Sequence, residues 1–213
     1  AEVLAIGTRG GADVLLVDEP TAQGTVRAGI GREAQAVLST DVVLLGPATD
    51  PAHLAGRPVL DALRAIAATG ATFVSRRDGL DANRFELALW QSAMGRDVQH
   101  EGWYVSTHQG GAPTLLEASR RQAYTLSDRA TYLAARDTIR LQVLRAGDPA
   151  LCATYSLVTV LAPPGAAVNR PGAQALAAYL HSPAGRQQIA AAGVAAYGES
   201  LFVPADGAGA ASP

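Results

Sequence analysis

The chain has 213 residues, of which 48% are hydrophobic and 17% charged, enough apolar material to bury a real core in one large domain or two small lobes, and too much for a mostly disordered chain. Its formal net charge is -2, so no overall field favours nucleic acid or an anionic membrane surface, and no apolar run reaches the roughly 18 residues of a spanning helix. All 17 basic residues are arginine; the absence of lysine excludes a P-loop lysine, a Schiff-base lysine and a Ser-Lys dyad, and leaves arginine, backbone N–H groups and hydroxyls as the donors available to an anion.

The opening segment to about Thr8 reads as a helix that Gly10-Gly11 stops. Asp13 to Val17 follows as a short apolar strand, expected to be buried and parallel, and Asp41 to Leu45 as a second one ending at Gly46-Pro47. Val59, Leu63 and Ile66 stand at helical spacing, Thr72 to Ser75 reads as a strand, Arg84 to Met94 as a helix and Trp103 to Val105 as a short strand. After the Gly110-Gly111 turn, Thr114 to Arg121 is helical and Ala123 to Leu126 extended; Ser127 then caps a helix through Ala135 with Asp128 in its first turn. Leu141 to Leu144 and Ser156 to Leu161 are further strands. Gly172 to Leu180 is helical, and Ser182-Pro183 starts a last helix to Ala192. Ala205 to Pro213, rich in Ala, Gly and Ser, reads as a disordered tail. Such alternation argues for an α/β architecture with mostly parallel sheets.

The most informative stretch is Phe73-Val74-Ser75-Arg76-Arg77-Asp78, an apolar strand that ends in a hydroxyl, two guanidiniums and a carboxylate just before a helix. Ligands of open α/β sheets sit beyond strand carboxyl ends, an arginine offers a planar fork to an oxyanion, and a helix N-terminus offers free N–H groups; the alternative is a solvated turn with an Arg-Asp pair. Gly110 and Gly111, ahead of the next helix, would let backbone N–H groups approach an anion, or form an ordinary turn. Tyr155 could donate its phenol to a ligand or sit satisfied in the core. His53, His100, His108 and His181 are scattered without metal-ligand spacing and read as surface or loop residues, Cys152 is alone, and Trp90 falls at packing positions. No nucleophile elbow, dinucleotide fingerprint or catalytic triad is present, so an enzyme is not expected.

Several runs together resemble the tungstate-binding (TupA-type) solute-binding proteins of bacterial ABC transporters: Gly11 to Val17, Asp41 to Pro47 with Asp50-Pro51, Phe73 to Arg76 with Asp78, and Ala123 to Arg129 with Thr131-Tyr132-Leu133. Gly147-Asp148-Pro149, Tyr155, Ser182-Pro183 with Gly185, and Leu201-Phe202 extend the collinear match over nearly the whole chain. The resemblance implies a type II periplasmic-binding-protein-like fold whose two lobes, 1–46 with 155–213 and 47–154, close on a small oxyanion. It implies Ser75 and Arg76 as the anion-binding Ser-Arg pair, Gly110-Gly111 as a glycine loop before a helix, and Tyr155 near a return crossover facing the cleft. The ligand would be tungstate, molybdate, sulfate or phosphate, held as an oxyanion with no cofactor and no metal site. A monomer delivering it to a membrane permease, in the periplasm or outside the cell with or without a lipid anchor, completes the expectation. The alternative is a ligand-sensing regulatory domain built on the same clamshell.

Two departures stand out. Where the family continues from S-R-G-D to S-G-T-H, this chain has Arg77 for the glycine and Leu80-Asp81-Ala82-Asn83 for the four residues at the helix start. The family's opening strand, with its T-T-T-S oxyanion loop, and the helix after it have no counterpart before Ala1, which reads as a processed or truncated N-terminus.

Overall fold

A computed structural model describes residues 2–161, 163 and 165–205; most of the expected tail, 206–213, lies outside the described residues. The chain folds into two compact units, 1–40 with 153–213 and 41–152. The first opens with helix α1 (Glu2–Thr8), strand β1 (Val14–Asp18), helix α2 (Glu19–Arg27) and the first part of the sixteen-residue strand β2 (Gly31–Gly46). The second contains α3 (Val59–Thr69), β3 (Phe73–Ser75), α4 (Asp81–Met94), β4 (Tyr104–Ser106), α5 (Gly111–Arg121), β5 (Thr125–Asp128), α6 (Arg129–Ala135), β6 (Gln142–Arg145) and a 3-10 turn at Pro149–Leu151. Strand β7 (Cys152–Val160) returns the chain to the first unit, which ends with α7 (Arg170–His181), α8 (Pro183–Ala191), α9 (Val194–Tyr197) and β8 (Val203–Pro204).

The crossings fall at 40/41 and 152/153 rather than at the expected 46/47 and 154/155. The cause of the first difference lies in the ladder: Val42 to Leu45 pair antiparallel with Asp128 to Thr125, which commits the second half of β2 to the second unit.

Strand direction also departs from the sequence reading. β1 is antiparallel to β7, with Val14 opposite Thr159 and Asp18 opposite Tyr155, and β2 is antiparallel to β5, β6 and β8; β3 and β4 run parallel. Alternation of helix and strand predicts parallel pairing only when the strands that meet are joined by the crossover helix, as β3 and β4 are by α4; the antiparallel pairs join strands remote in sequence. β1 is accordingly buried on one face alone: Leu15 and Val17 are 4% exposed and pack with Ala22, Val158 and Val160, whereas Leu16 between them is 51% exposed. α2 and the first ten residues of β2 carry too many polar residues to show an apolar period, and the sequence reading passed over both.

In the second unit Val43 and Leu45 of β2 pack with Val74, Leu115, Ala118 and Ala123. Phe73, Trp90, Trp103 and Tyr104 form an aromatic cluster, with Phe73 edge-on to Trp90 at 5.0 Å, so Trp90 is packing material as its spacing suggested. Gly46 is required where it stands, because a Cβ there would meet the Tyr124 ring at 2.5 Å and Leu144 at 2.6 Å. That approach seats the Tyr124 hydroxyl, which donates to Asp50 Oδ1 (3.0 Å) and accepts from the Ala52 N–H (2.8 Å). Asp148 ties two elements together: Oδ2 accepts from the Val59 N–H at the start of α3 (2.9 Å) and from Arg145, and Oδ1 from the Ala150 N–H (3.0 Å). Burial alone would push its carboxyl up, but these donors hold it below the usual range.

Candidate anion-binding site

The carboxyl end of β3 runs into a tight turn toward α4. Arg77 and Gly79 in this turn adopt left-handed backbone, with φ of 44° and 72°. Arg77 therefore occupies a conformation natural to the family's glycine at this position, at a cost on the order of 1 kcal/mol. The turn is closed by its own side chains: Asp78 Oδ1 accepts from the Leu80 N–H (3.1 Å) and Asn83 Oδ1 from the Gly79 N–H (3.2 Å). Arg76 is held by Asp78 Oδ2, to which its Nε donates at 2.9 Å and its Nη2 at 2.7 Å; the two side chains are 17% and 12% exposed.

Arg76 lines a pocket within the second unit, together with Gly111 and Thr114 of α5, Ser127 and Asp128 of β5, and an apolar side made by Phe85 and Leu126 with Val42 and Ala82. Gly110 is the N-cap of α5 and has no side chain to satisfy the first-turn N–H groups, and that first turn carries no acidic residue. Pro113, third in the helix, has no N–H, so the Gly111 and Ala112 N–H groups and the positive end of the helix dipole are what is available to an anion. A Cβ on Gly111 would stand 2.9 Å from Thr131 Cγ2, so glycine lets α5 begin against α6. Asp128 adds a carboxylate to the pocket, but both its oxygens are committed, Oδ1 to the Thr131 N–H and Oδ2 to the Thr131 hydroxyl, each at 2.8 Å. It is thus Asp128, not Ser127, that caps α6, its carboxyl accepting from the Thr131 N–H.

The expected site residues separate into three groups. Arg76 and Gly111 both line the pocket, and Gly110 caps the helix that Gly111 begins. Ser75 is fully buried and its hydroxyl points away, donating to Glu86 Oε2 at 2.8 Å while accepting the Arg77 N–H at 3.2 Å. Tyr155 lies on β7 in the other unit, half-buried and opposite Asp18 in the ladder. The sequence reading missed Thr114 and Glu86, and took Ser127 for a helix cap. Thr114 is 1% exposed, with Oγ1 2.8 Å from Thr107 Oγ1 and donating to the Gly110 carbonyl at 2.9 Å. Glu86 could have been noticed as an acid three and four residues before Leu89 and Trp90, on the buried face of an amphipathic helix, where a carboxyl needs partners.

Glu86 is 3% exposed and accepts from the Ser75 hydroxyl and from the Tyr104 phenol, the latter at 2.5 Å. Burial pushes its carboxyl up to about 7, against the downward pull of Tyr104, Ser75, Asn83 and the Arg76 charge. Burial and the neighbouring carboxylate push the Tyr104 phenol up in turn. Of the histidines, His53, His100 and His108 are exposed and His181 ends α7 half-buried, and no group of three or more potential metal ligands occurs among the described residues.

An arginine at a strand end beside an open helix start, in an α/β chain, is a geometry suited to an anion. The tungstate-binding protein TupA of Desulfovibrio alaskensis G20 superposes with a TM-score of 0.86 at 35% identity, covering 96% of this chain and 83% of that one. TupA of Peptoclostridium acidaminophilum is 34% identical over 208 residues, 95% of this chain and 72% of its own length. The chain belongs to the family of the tungstate-binding protein TupA. A Haloferax volcanii protein described as an ABC transporter anion-binding protein is 37% identical over 211 residues; the chain spans 57% of that relative's length. No family model matches the chain.

Proposed function

We propose that the chain is the binding part of an ABC-importer solute-binding protein, taking tungstate or a related tetrahedral oxyanion, with molybdate, sulfate and phosphate as the competitors. The observation that carries this reading is the convergence of Arg76 with the uncapped start of α5 in one pocket. Guanidinium and backbone N–H groups are hydrogen-bond donors suited to oxygen acceptors, which supports a ligand bound as an oxyanion. Such a protein hands its ligand to a membrane permease and works outside the cytoplasm; among the described residues no helix is long and apolar enough to cross a membrane. Relatives of 34% and 37% identity carry the names of binding proteins, which supports import over sensing.

Titration calorimetry with the four oxyanions tests the proposal. Tungstate or molybdate is expected to release or absorb heat with a single site, and absence of both heat and thermal shift with all four would end it. Arg76→Ala should weaken binding by about 2 kcal/mol, since it removes a charge-assisted donor.

A further inference from the structure

Behind the turn that carries Arg76, three polar side chains meet in the core. Glu86 of α4 receives the Ser75 hydroxyl from the end of β3 and the Tyr104 hydroxyl from β4, and the Ser75 oxygen in turn holds the Arg77 N–H. A glutamate this deeply buried costs stability that an apolar residue in its place would not. Resting on the oxyanion reading of the pocket, we propose that Glu86 is a positioning residue that couples anion affinity to a proton, so that the anion binds most tightly while the Glu86 carboxyl is protonated.

Two consequences of the geometry lead there. The Ser75 and Tyr104 hydrogens and the nearby Arg76 charge favour the carboxylate, whereas burial favours the neutral acid, and the balance lies close to neutral pH. An anion on Arg76 cancels part of the positive field that favours the carboxylate and so draws a proton onto Glu86. By reciprocity, a protonated Glu86 leaves Arg76 with more of its field for the anion, and affinity falls as pH rises through about 7.

Arg77, on the same turn, brings a second positive charge to bear on the Tyr104 phenol, and the remaining charged groups around Glu86 have partners of their own. Asp78 is paired with Arg76, and Asp128 at the end of β5 with Thr131. Arg64 of α3 lies on the Ala93 carbonyl at the far end of α4 and pairs with Asp61. Asn83 is the remaining polar neighbour on α4 itself.

The test is titration of the full chain with tungstate from pH 6 to 8.5, repeated with sulfate, whose charge does not change in that range, and in two buffers of different ionisation heat. The dissociation constant should rise on the order of fivefold between pH 6 and 8, with net proton uptake on binding. Glu86→Gln should keep the low-pH affinity and lose the slope. If that variant does not fold, the buffer comparison on the unmodified chain decides the matter alone. Binding with a flat pH profile and no proton uptake, or an unchanged slope in Glu86→Gln, overturns the inference while leaving the oxyanion reading intact. No binding at any pH overturns both.

Discussion

At the scale of single residues, two side chains sit where a simpler choice would be more stable. Glu86 is the first. Its folded-state pKa of about 7 lies above its ordinary value of 4.5, so the folded chain holds a proton that the unfolded chain releases. Its contribution is fully present below the ordinary value and is lost as pH rises through about 7, an effect on the order of 3 kcal/mol. Thermal unfolding followed from pH 5 to 8 should show the melting temperature falling across this window, and Glu86→Gln should flatten the fall. Arg77 is the second. Glycine at its left-handed φ of 44° relieves the Cβ clash but adds entropy to the unfolded chain, so Arg77→Gly should raise stability by less than about 1 kcal/mol in denaturant unfolding.

Elements show where sequence reasoning reaches and where it stops. The Phe73 to Ser75 strand and the glycine turn ahead of α5 were legible because both are local: an apolar run ending in arginine, and two glycines before a helical period. The direction of Ser75 was not legible, since it depends on Glu86 eleven residues on and on Tyr104 from another strand. Nor was Thr114, whose hydroxyl matters only because α5 starts where β4 ends and Thr107 meets it. The caps follow the same division. Ser182 caps α8 as read, accepting from the Gly185 N–H at 3.2 Å, while Asp128 displaced Ser127 because the helix begins one residue later than its pattern suggests. Asp128→Ala should therefore destabilise the chain by about 1 kcal/mol, whereas Ser127→Ala should leave stability nearly unchanged; chemical denaturation separates the two. Gly111→Ala should push α5 off Thr131 and weaken oxyanion binding together with stability, measurable by calorimetry on the same preparation.

For the whole molecule, the alternation of helix and strand identified the α/β class and misjudged its pairing, since ladders such as β1 with β7 join segments more than a hundred residues apart that no local pattern encodes. The collinear family motifs carried the fold further than periodicity did, because they sample both units at once. A ligand that binds only the native chain adds to its stability by mass action. Tungstate at a hundred times its dissociation constant should therefore contribute about 2.7 kcal/mol, seen as a rise in melting temperature that Arg76→Ala cuts to less than half at the same concentration.

The pairing of Arg76 with Asp78 bears finally on selection among the anions that crowd any natural water. A guanidinium already matched to its own carboxylate presents little unbalanced charge, so chloride, a sphere with one charge and no directed lone pairs, finds small reward there. On the oxyanion reading, a tetrahedral guest collects the remaining guanidinium hydrogens and backbone N–H groups from several directions at once. On that reading Asp78 is a resident rival, which a guest must outdo through the number and angle of its hydrogen bonds.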